Sequence, residues 1–383
     1  MSIKKIQFWI IICIIVLIIY FLNRNTVLNH ASSFYKLPEM KNAHQGHASL
    51  RISTDEILIT DYLANYLLPN WGINSHDESS RNFYSSEDIY SIRSNSFFEL
   101  KPTSKKHFDI EKKVKTILSA HKLDIPNIQI NRLNKKLDKA LFSISFLGKR
   151  KYFIAGGLEK SSKISKTAEL YGIDSIEPIH TYQLIRPRLL PTSTQLNDGR
   201  LLILGGKTTE RFINESRADI YDPKQDSIYP STPSITDRSC HTANLLSNGN
   251  VLIIGGISIK NNTDFLKTVE IYNPKLNIFK QVGFTLYPHC GHTATVLRNG
   301  KILILGGISG NYYQNHRLMH GSDNKAELYD PIKNISIDIG PLNESRAFHS
   351  AINLSNQRIL ITGGSGNRSL TRSLKTAEYY LSK

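Results

Sequence analysis

Short apolar runs that end in two glycines recur along the second half of the chain. The five runs are KYFIAGG, RLLILGG, NVLIIGG, KILILGG and RILITGG, ending at Gly157, Gly206, Gly256, Gly307 and Gly364. Apolar residues on both faces are typical of a middle strand packed between two neighbouring layers. Three runs follow a turn-forming pair, which predicts a two-residue hairpin leading into the strand. These pairs are Asp198-Gly199, Asn248-Gly249 and Asn299-Gly300.

A second motif alternates with the first. It reads TAELY, RADIY, TVEIY, KAELY and TAEYY, ending at Tyr171, Tyr221, Tyr272, Tyr329 and Tyr380. From each of the first four tyrosines to the next glycine pair the interval is a constant 34 residues, whereas from glycine pair to tyrosine it varies from 15 to 23. A fixed interval indicates packed strands, and a variable one indicates a surface loop. Four antiparallel strands per repeat of about fifty residues predict the blade of a β-propeller.

The alternation of R..HTA.L.NGK.LI.GG with AE.YDP resembles the kelch repeat, in the bacterial and galactose-oxidase-like branch. The resemblance covers five units over residues 140–383. It implies an all-β, kelch-type β-propeller. The tryptophan that the family places five residues after the proline is absent, and Ile228, Phe279 and Ser336 stand there instead. We expect weaker packing of the outer strand from this difference, and the same architecture.

The N-terminal half contains a degenerate version of the repeat. HQGHASLRISTDEILITDY reads like HSAINLSNQRILITGG without the glycines, and SSEDIY places Tyr90 at the tyrosine position. Residues 32–40 resemble the fourth strand of a repeat, so we expect them to complete the last blade and close a six-bladed ring. A basic segment at about 101–139, with apolar residues at helical spacing, is predicted to be a partly helical insertion. It leaves a degraded seventh blade as the alternative.

The N-terminus carries an apolar run after two lysines. Residues 6–22 are about long enough to cross a bilayer as a helix, and no small-residue cleavage site follows. The sequence therefore predicts an uncleaved signal anchor within residues 1–27, with the N-terminus cytoplasmic and the propeller, residues 28–383, extracytoplasmic. The membrane would be contacted through residues 6–22.

Composition adds little to this picture. The formal net charge is +16, much of it in the basic segment, where fourteen Lys and Arg stand against four Asp and Glu over residues 101–151. Nucleic-acid-binding signatures are absent, so we expect no nucleic-acid partner. Beyond Cys13 the chain has only Cys240 and Cys290, from which we expect no disulfide framework.

Candidate chemistry is limited because the conspicuous residues are repeated. The acids two positions before each tyrosine, and the histidines at 241, 292 and 349, read as structural partners. YPHCGH, residues 287–292, is the one local concentration of residue types that the copper oxidases of this family use. We expect no catalytic residue, no metal and no cofactor. A sugar-epimerase-like or copper-radical-oxidase-like enzyme remains the alternative.

Strand alternation brings the variable loops to one face of the predicted propeller. The longest identifiable loop, residues 308–325, is rich in aromatic and amphipathic residues, which are typical of recognition surfaces. We therefore expect a protein- or glycan-binding or scaffolding module, and the sequence sets no oligomeric state. The candidate binding residues are Arg238, His289, Tyr312, Tyr313, His316, Arg317, His320 and Arg346.

Overall fold

Antiparallel strands make up the regular structure of the described chain. A computed structural model describes residues 34–40, 48–51, 56–60, 87–91, 94–99, 139–140, 143–148, 151–159, 161, 163–172, 177–208, 215–258, 264–314, 317–354, 357–366 and 372–382. Within these ranges there are six four-stranded sheets, all antiparallel, and no helix. The fold is therefore all-β, in an arrangement consistent with a β-propeller.

We number the sheets 1 to 6 by the chain order of their first strands. Sheet 1 contains Ala48–Arg51, Glu56–Thr60, Glu87–Ser91 and Ser96–Glu99. Sheet 2 contains Ser143–Gly148, Lys151–Ala155, Thr167–Gly172 and His180–Gln183. Sheet 3 contains Thr192–Gln195, Leu201–Leu204, Ala218–Asp222 and Ser227–Pro230. Sheet 4 contains Thr242–Leu245, Val251–Ile254, Thr268–Asn273 and Ile278–Phe284. Sheet 5 contains Thr293–Val296, Ile302–Leu305, Ala326–Asp330 and Ile335–Asp338. Sheet 6 contains Ser350–Asn353, Arg358–Thr362, Ala377–Leu381 and Phe34–Lys36.

Four further strand pairs lie outside these sheets. They pair Lys139–Ala140 with Leu158–Glu159, Ile257–Ser258 with Asp264–Phe265, Ile308–Gln314 with Arg317–Ser322, and Ser365–Gly366 with Arg372–Ser373.

The second strand of each well-marked repeat is buried on both faces, as its apolar sequence predicts. Leu201–Leu204, Val251–Ile254 and Ile302–Leu305 are buried at every position. Side chains from these strands pack against neighbouring sheets: Ile203 of sheet 3 clusters with Phe153 of sheet 2, and Leu303 of sheet 5 with Ile361 of sheet 6. The core is thus a series of layers between consecutive sheets.

The turns before these strands differ from the prediction of two-residue hairpins. Leu246 accepts a hydrogen bond from the N–H of Gly249 (2.9 Å) and donates its own N–H to Asn250 (2.8 Å), and Gly249 has φ of 84°. This is a three-residue loop in which a left-handed glycine follows a turn. The same pattern occurs at Gly199 and Gly300. The prediction of which residues form the turns is confirmed, but the predicted loop of two residues is wrong, because each loop has three.

The N-terminal strand completes sheet 6, as residues 32–40 predict. Phe34 pairs with Tyr380 and Lys36 with Glu378, beside the last strand of the chain. Sheet 6 also packs on sheet 1, because Phe97 shares a buried cluster with Leu360 and Met40. The degenerate repeat therefore forms a four-stranded sheet with Tyr90 in its third strand.

Two other predictions fall outside the described residues. The apolar run at 6–22 and all but the last residue of the basic segment at 101–139 are among them. In the part of the chain that the structure describes, no helix is long and apolar enough to cross a membrane.

Candidate binding face

The two ends of each sheet carry different chemistry. At one end, which we call the glycine end, the second strand stops at the glycine pair. At the opposite end, which we call the turn end, a loop joins the first strand to the second. Histidine–threonine bonds join the starts of neighbouring first strands, which therefore run in the same direction. Nε2 lies 2.9 Å from the hydroxyl oxygen in His241–Thr192, His292–Thr242 and His349–Thr293. The glycine ends of sheets 3 to 6 consequently lie on one side of the molecule.

A buried acid–base pair stands at the glycine end of each of these four sheets. The acid lies in the third strand, and the base precedes the first strand of the same sheet. The pairs are Arg188–Asp219 (2.9 Å), Arg238–Glu270, His289–Glu327 (2.6 Å) and Arg346–Glu378 (3.0 Å). Each of these side chains is at most 1% exposed. Since a buried charge is costly unless paired, removing either partner should destabilise the sheet strongly.

Each base also joins its sheet to the preceding one. The Arg238 side chain donates to the carbonyl oxygen of Gly255 in its own sheet (2.8 Å), while the Arg238 carbonyl accepts the N–H of Gly206 in sheet 3 (2.9 Å). The three other bases make the same two contacts. A Cβ on Gly205 would collide with the Arg238 carbonyl and lie 2.6 Å from the His241 ring. The glycine pair is therefore required for close approach of the sheets, and has no phosphate-binding geometry.

His289 departs from the arginine found in the other three pairs. Its Nδ1 lies 2.9 Å from the carbonyl oxygen of Gly306 and its Nε2 2.6 Å from the Glu327 carboxylate. Both neighbours are acceptors, so we assign a proton to each ring nitrogen. Burial raises the pKa of Glu327, but the hydrogen bond and charge of His289 outweigh it and hold that pKa below its usual value.

His241 and His292, which precede the first strands of sheets 4 and 5, are neutral in the fold. Burial is the main cause that lowers the pKa of His241 well below its ordinary value, and the charges of Arg238 and Arg188 add to it. Burial likewise lowers the pKa of His292, with contributions from neighbouring histidines. Within the described ranges no group of three or more His, Cys, Asp or Glu side chains is arranged to hold a metal ion.

Cys240 and Cys290 form a disulfide, which corrects the expectation drawn from the cysteine number. They precede the first strands of sheets 4 and 5, with Cα atoms 5.2 Å apart. Cys290 is fully buried beside Ile257, Ile308 and Ala347. Sequence reasoning missed the pair because it set aside two cysteines in neighbouring repeats, although their separation of 50 residues equals one repeat. That spacing was the available signal.

Three β-hairpins extend from the glycine ends of sheets 4, 5 and 6. Their first strands begin directly after the glycine pairs, at Ile257, Ile308 and Ser365. The hairpin of sheet 5 lies between the other two and contacts both. Backbone bridges tie their bases to the inner strands: Cys290 donates to Ile308 (3.1 Å) and accepts from it (2.7 Å). The longest predicted loop is thus a β-hairpin built on the disulfide.

The candidate binding residues fall into two groups. Arg238, His289 and Arg346 are at most 1% exposed and occupied in the acid–base pairs, so the structure places them beneath the face rather than on it. Four others lie in the hairpin of sheet 5, where Tyr312 pairs with Met319, Tyr313 with Leu318, Asn311 with His320 and Gln314 with Arg317. His316 lies outside the described residues.

The site residues thus share one end of the molecule but not one surface. Sequence reasoning recognised the repeated acids as structural partners, and the buried pairs confirm this for four of them. It did not foresee that the variable loops form contiguous hairpins. Irregular loop composition carries no signal for such contacts, which arise between different repeats.

Comparisons with known proteins give one partial likeness. No family model matches the chain. The chain is similar to the spermatocyte protein spe-26 of Caenorhabditis elegans, with 29% identity over 138 residues. The match covers 34% of this chain and 23% of the length of that protein.

Proposed function

We propose that this protein is a membrane-anchored, six-bladed kelch-type β-propeller that binds a protein or glycan ligand through the hairpins of its glycine end. Each four-stranded sheet is one blade, and the N-terminal strand in sheet 6 closes the ring. The spacing of the two sequence motifs and the contacts between consecutive first strands support this architecture. Contact between sheets 1 and 2 would complete the ring.

One observation carries the binding function: three hairpins stand side by side on one end of the molecule, over a rigid base. The base consists of the buried acid–base pairs, the bridge of Cys290 to Ile308, and the disulfide. A variable surface held by such a base is typical of recognition sites, because little conformational entropy is lost when a preorganised surface binds.

The disulfide supports the proposed location. Structural disulfides persist in oxidising compartments and are rare in the cytosol. Anchoring through residues 6–22, with lysines on the cytoplasmic side, would place sheets 1 to 6 in such a compartment.

Buried contacts favour binding over the alternative of a carbohydrate-active enzyme. The Arg, His and Glu side chains of the described repeats that an epimerase-like site would use are engaged with each other away from solvent. The sulfur of Cys290 is bonded to Cys240, so it does not form the thioether with tyrosine that the copper oxidases of the resembled family use. The nearby Tyr287 donates its hydroxyl hydrogen to Asp338 (2.6 Å).

Replacing the hairpin tests this function. In the full chain, residues 310–320 are exchanged for a short Gly-Ser link, and purified protein is compared with wild type on a glycan array and against extracellular protein fractions. We expect loss of the wild-type ligand with an unchanged melting temperature, because the four strands of sheet 5 lie outside the replaced segment. A ligand retained at wild-type affinity would contradict the proposal. As a control, residues 247–249 at the turn end of sheet 4 are exchanged for a Gly-Ser linker of the same length. This variant should bind the ligand as the wild type does.

A further inference from the structure

The most exposed large apolar side chain of the described residues lies at the turn end. Ile332 is 90% exposed, in the turn between the third and fourth strands of sheet 5, and Leu276 is 66% exposed in the equivalent turn of sheet 4. Both turns have defined geometry. Asp330 accepts the N–H of Ile332 (3.0 Å), and Asn273 accepts the N–H of Leu276 (3.1 Å). Two aliphatic side chains are therefore held out from one end of the molecule.

Basic residues lie in the turns at this same end of sheets 4 and 5. The turn-end segments of sheets 4 and 5, residues 246–250, 273–278, 297–301 and 330–335, contain four basic residues and one acidic residue. The basic residues are Lys275, Arg298, Lys301 and Lys333. The acid is Asp330, whose pKa is held below its ordinary value by the backbone N–H groups of Lys333 and Ile332 and by the charges of Lys301 and Lys333. The surface is thus net positive even with Asp330 ionised.

The N-terminal strand, Phe34–Lys36, begins at this same end. Phe34 lies opposite Tyr380, next to the start of the second strand of sheet 6, where Arg358 follows the turn. Lys36 lies opposite Glu378, whose carboxylate belongs to the glycine end. The strand Phe34–Lys36 therefore runs from the turn end to the glycine end, and its first residue lies at the turn end. The eleven residues between the apolar run and Phe34 span at most about 40 Å when extended.

We propose that the turn end of sheets 4 and 5 rests on an anionic lipid bilayer, with Leu276 and Ile332 inserted at the headgroup level and the flanking lysines on lipid phosphates. Aliphatic tips among basic residues are the combination that binds such interfaces. The inference rests on the proposed anchoring through residues 6–22. It orients the molecule, because the hairpins of the glycine end then point away from the membrane.

Depth-dependent fluorescence quenching tests this orientation. A Cys13→Ser background leaves Cys240 and Cys290 in their disulfide, and a single added cysteine, Ile332→Cys, is labelled with an environment-sensitive fluorophore. The matched control is Ile235→Cys, since Ile235 is 57% exposed in the linker at the glycine end. Each full-length protein is reconstituted in vesicles of 70% phosphatidylcholine and 30% phosphatidylserine containing nitroxide-labelled headgroups.

The expected result is strong quenching at position 332 and little at 235. Because each lysine near an anionic surface strengthens binding by about fivefold, Lys275→Ala and Lys333→Ala should each lower the docked fraction accordingly, as should vesicles of phosphatidylcholine alone. Equal quenching at both positions, or stronger quenching at 235, would overturn the inference. The proposed anchoring would still stand in that case if the protein co-floats with the vesicles. Protein that does not co-float would refute the anchoring itself. Protection of position 332 from aqueous acrylamide without nitroxide quenching would assign this face to contact between copies of the chain, and would also overturn the inference.

Discussion

His289 Nε2 lies 2.6 Å from Glu327 Oε1, at a position where three other repeats place an arginine against the equivalent acid. The pair is fully buried, and it joins the entry of sheet 5 to its third strand. The other ring nitrogen of His289, Nδ1, forms a hydrogen bond with the carbonyl oxygen of Gly306. The repeat thus requires a buried base with two donors, which either an arginine or a doubly protonated histidine supplies.

His289→Ala should lower the free energy of unfolding by about 3–5 kcal/mol, because it leaves the Glu327 carboxylate buried without a cation. His289→Arg restores the arrangement of the neighbouring repeats and should cost much less. Urea unfolding of the two variants measures the difference. Equal losses in both would show that the pair does not act as a charge pair.

Acidification should destabilise the protein below about pH 6.5. His241 and His292 are neutral in the fold, with pKa values well below 6.5, whereas in the unfolded chain they take up protons near that pH. The unfolded state therefore binds more protons, so stability present at pH 7.5 falls as the pH drops. The two histidines together contribute up to about 2.7 kcal/mol per pH unit.

Unfolding measured between pH 7.5 and 5 checks this slope against a His241→Gln, His292→Gln double variant. The variant should be less stable at pH 7.5 and should show a flatter dependence. An unchanged slope would place the responsible protons elsewhere.

Removing the disulfide should lower stability by about 4 kcal/mol, since it closes a loop of one whole repeat. Cys240→Ser, Cys290→Ser and the double variant should lose similar amounts, because each removes the same bond. Thermal unfolding with and without reductant measures the loss. If Cys240 and Cys290 both react with an alkylating reagent in the native wild-type protein, the disulfide assignment is contradicted.

Two glycines allow a matched pair of alanine substitutions: Gly306 lies in the run KILILGG, and Gly300 lies in the turn before it. Gly306 and Gly300 both have positive φ, at 55° and 79°, but a Cβ on Gly306 would strike the Arg346 carbonyl, while nothing lies within 4 Å of one on Gly300. Gly300→Ala should therefore cost about 1 kcal/mol from backbone strain. Gly306→Ala should cost about 1–3 kcal/mol more, because neighbouring sheets must separate. Similar melting temperatures for the two variants would refute close packing at the glycine end.

Repetition explains which features could be predicted from the sequence. The burial of Val251–Ile254 and the pairing of Phe34–Lys36 in sheet 6 follow from patterns that recur in the repeats. The sequence did not predict the His289–Glu327 pair, because a histidine stands where the other repeats have an arginine. The neighbouring hairpins were not foreseen either, since contacts between variable loops depend on tertiary placement and leave no periodic trace.

Site-specific photo-crosslinking tests directly whether the hairpins of the glycine end recognise the ligand. A benzophenone amino acid replaces Tyr313 in the hairpin of sheet 5 or, as a control, the exposed Lys224 in a turn of sheet 3. The full-length protein is irradiated in the cells that produce it. We expect a discrete crosslinked protein or glycoconjugate from position 313, competed by wild-type protein, and none from position 224. The same products from both positions, or products from position 224 alone, would contradict this expectation.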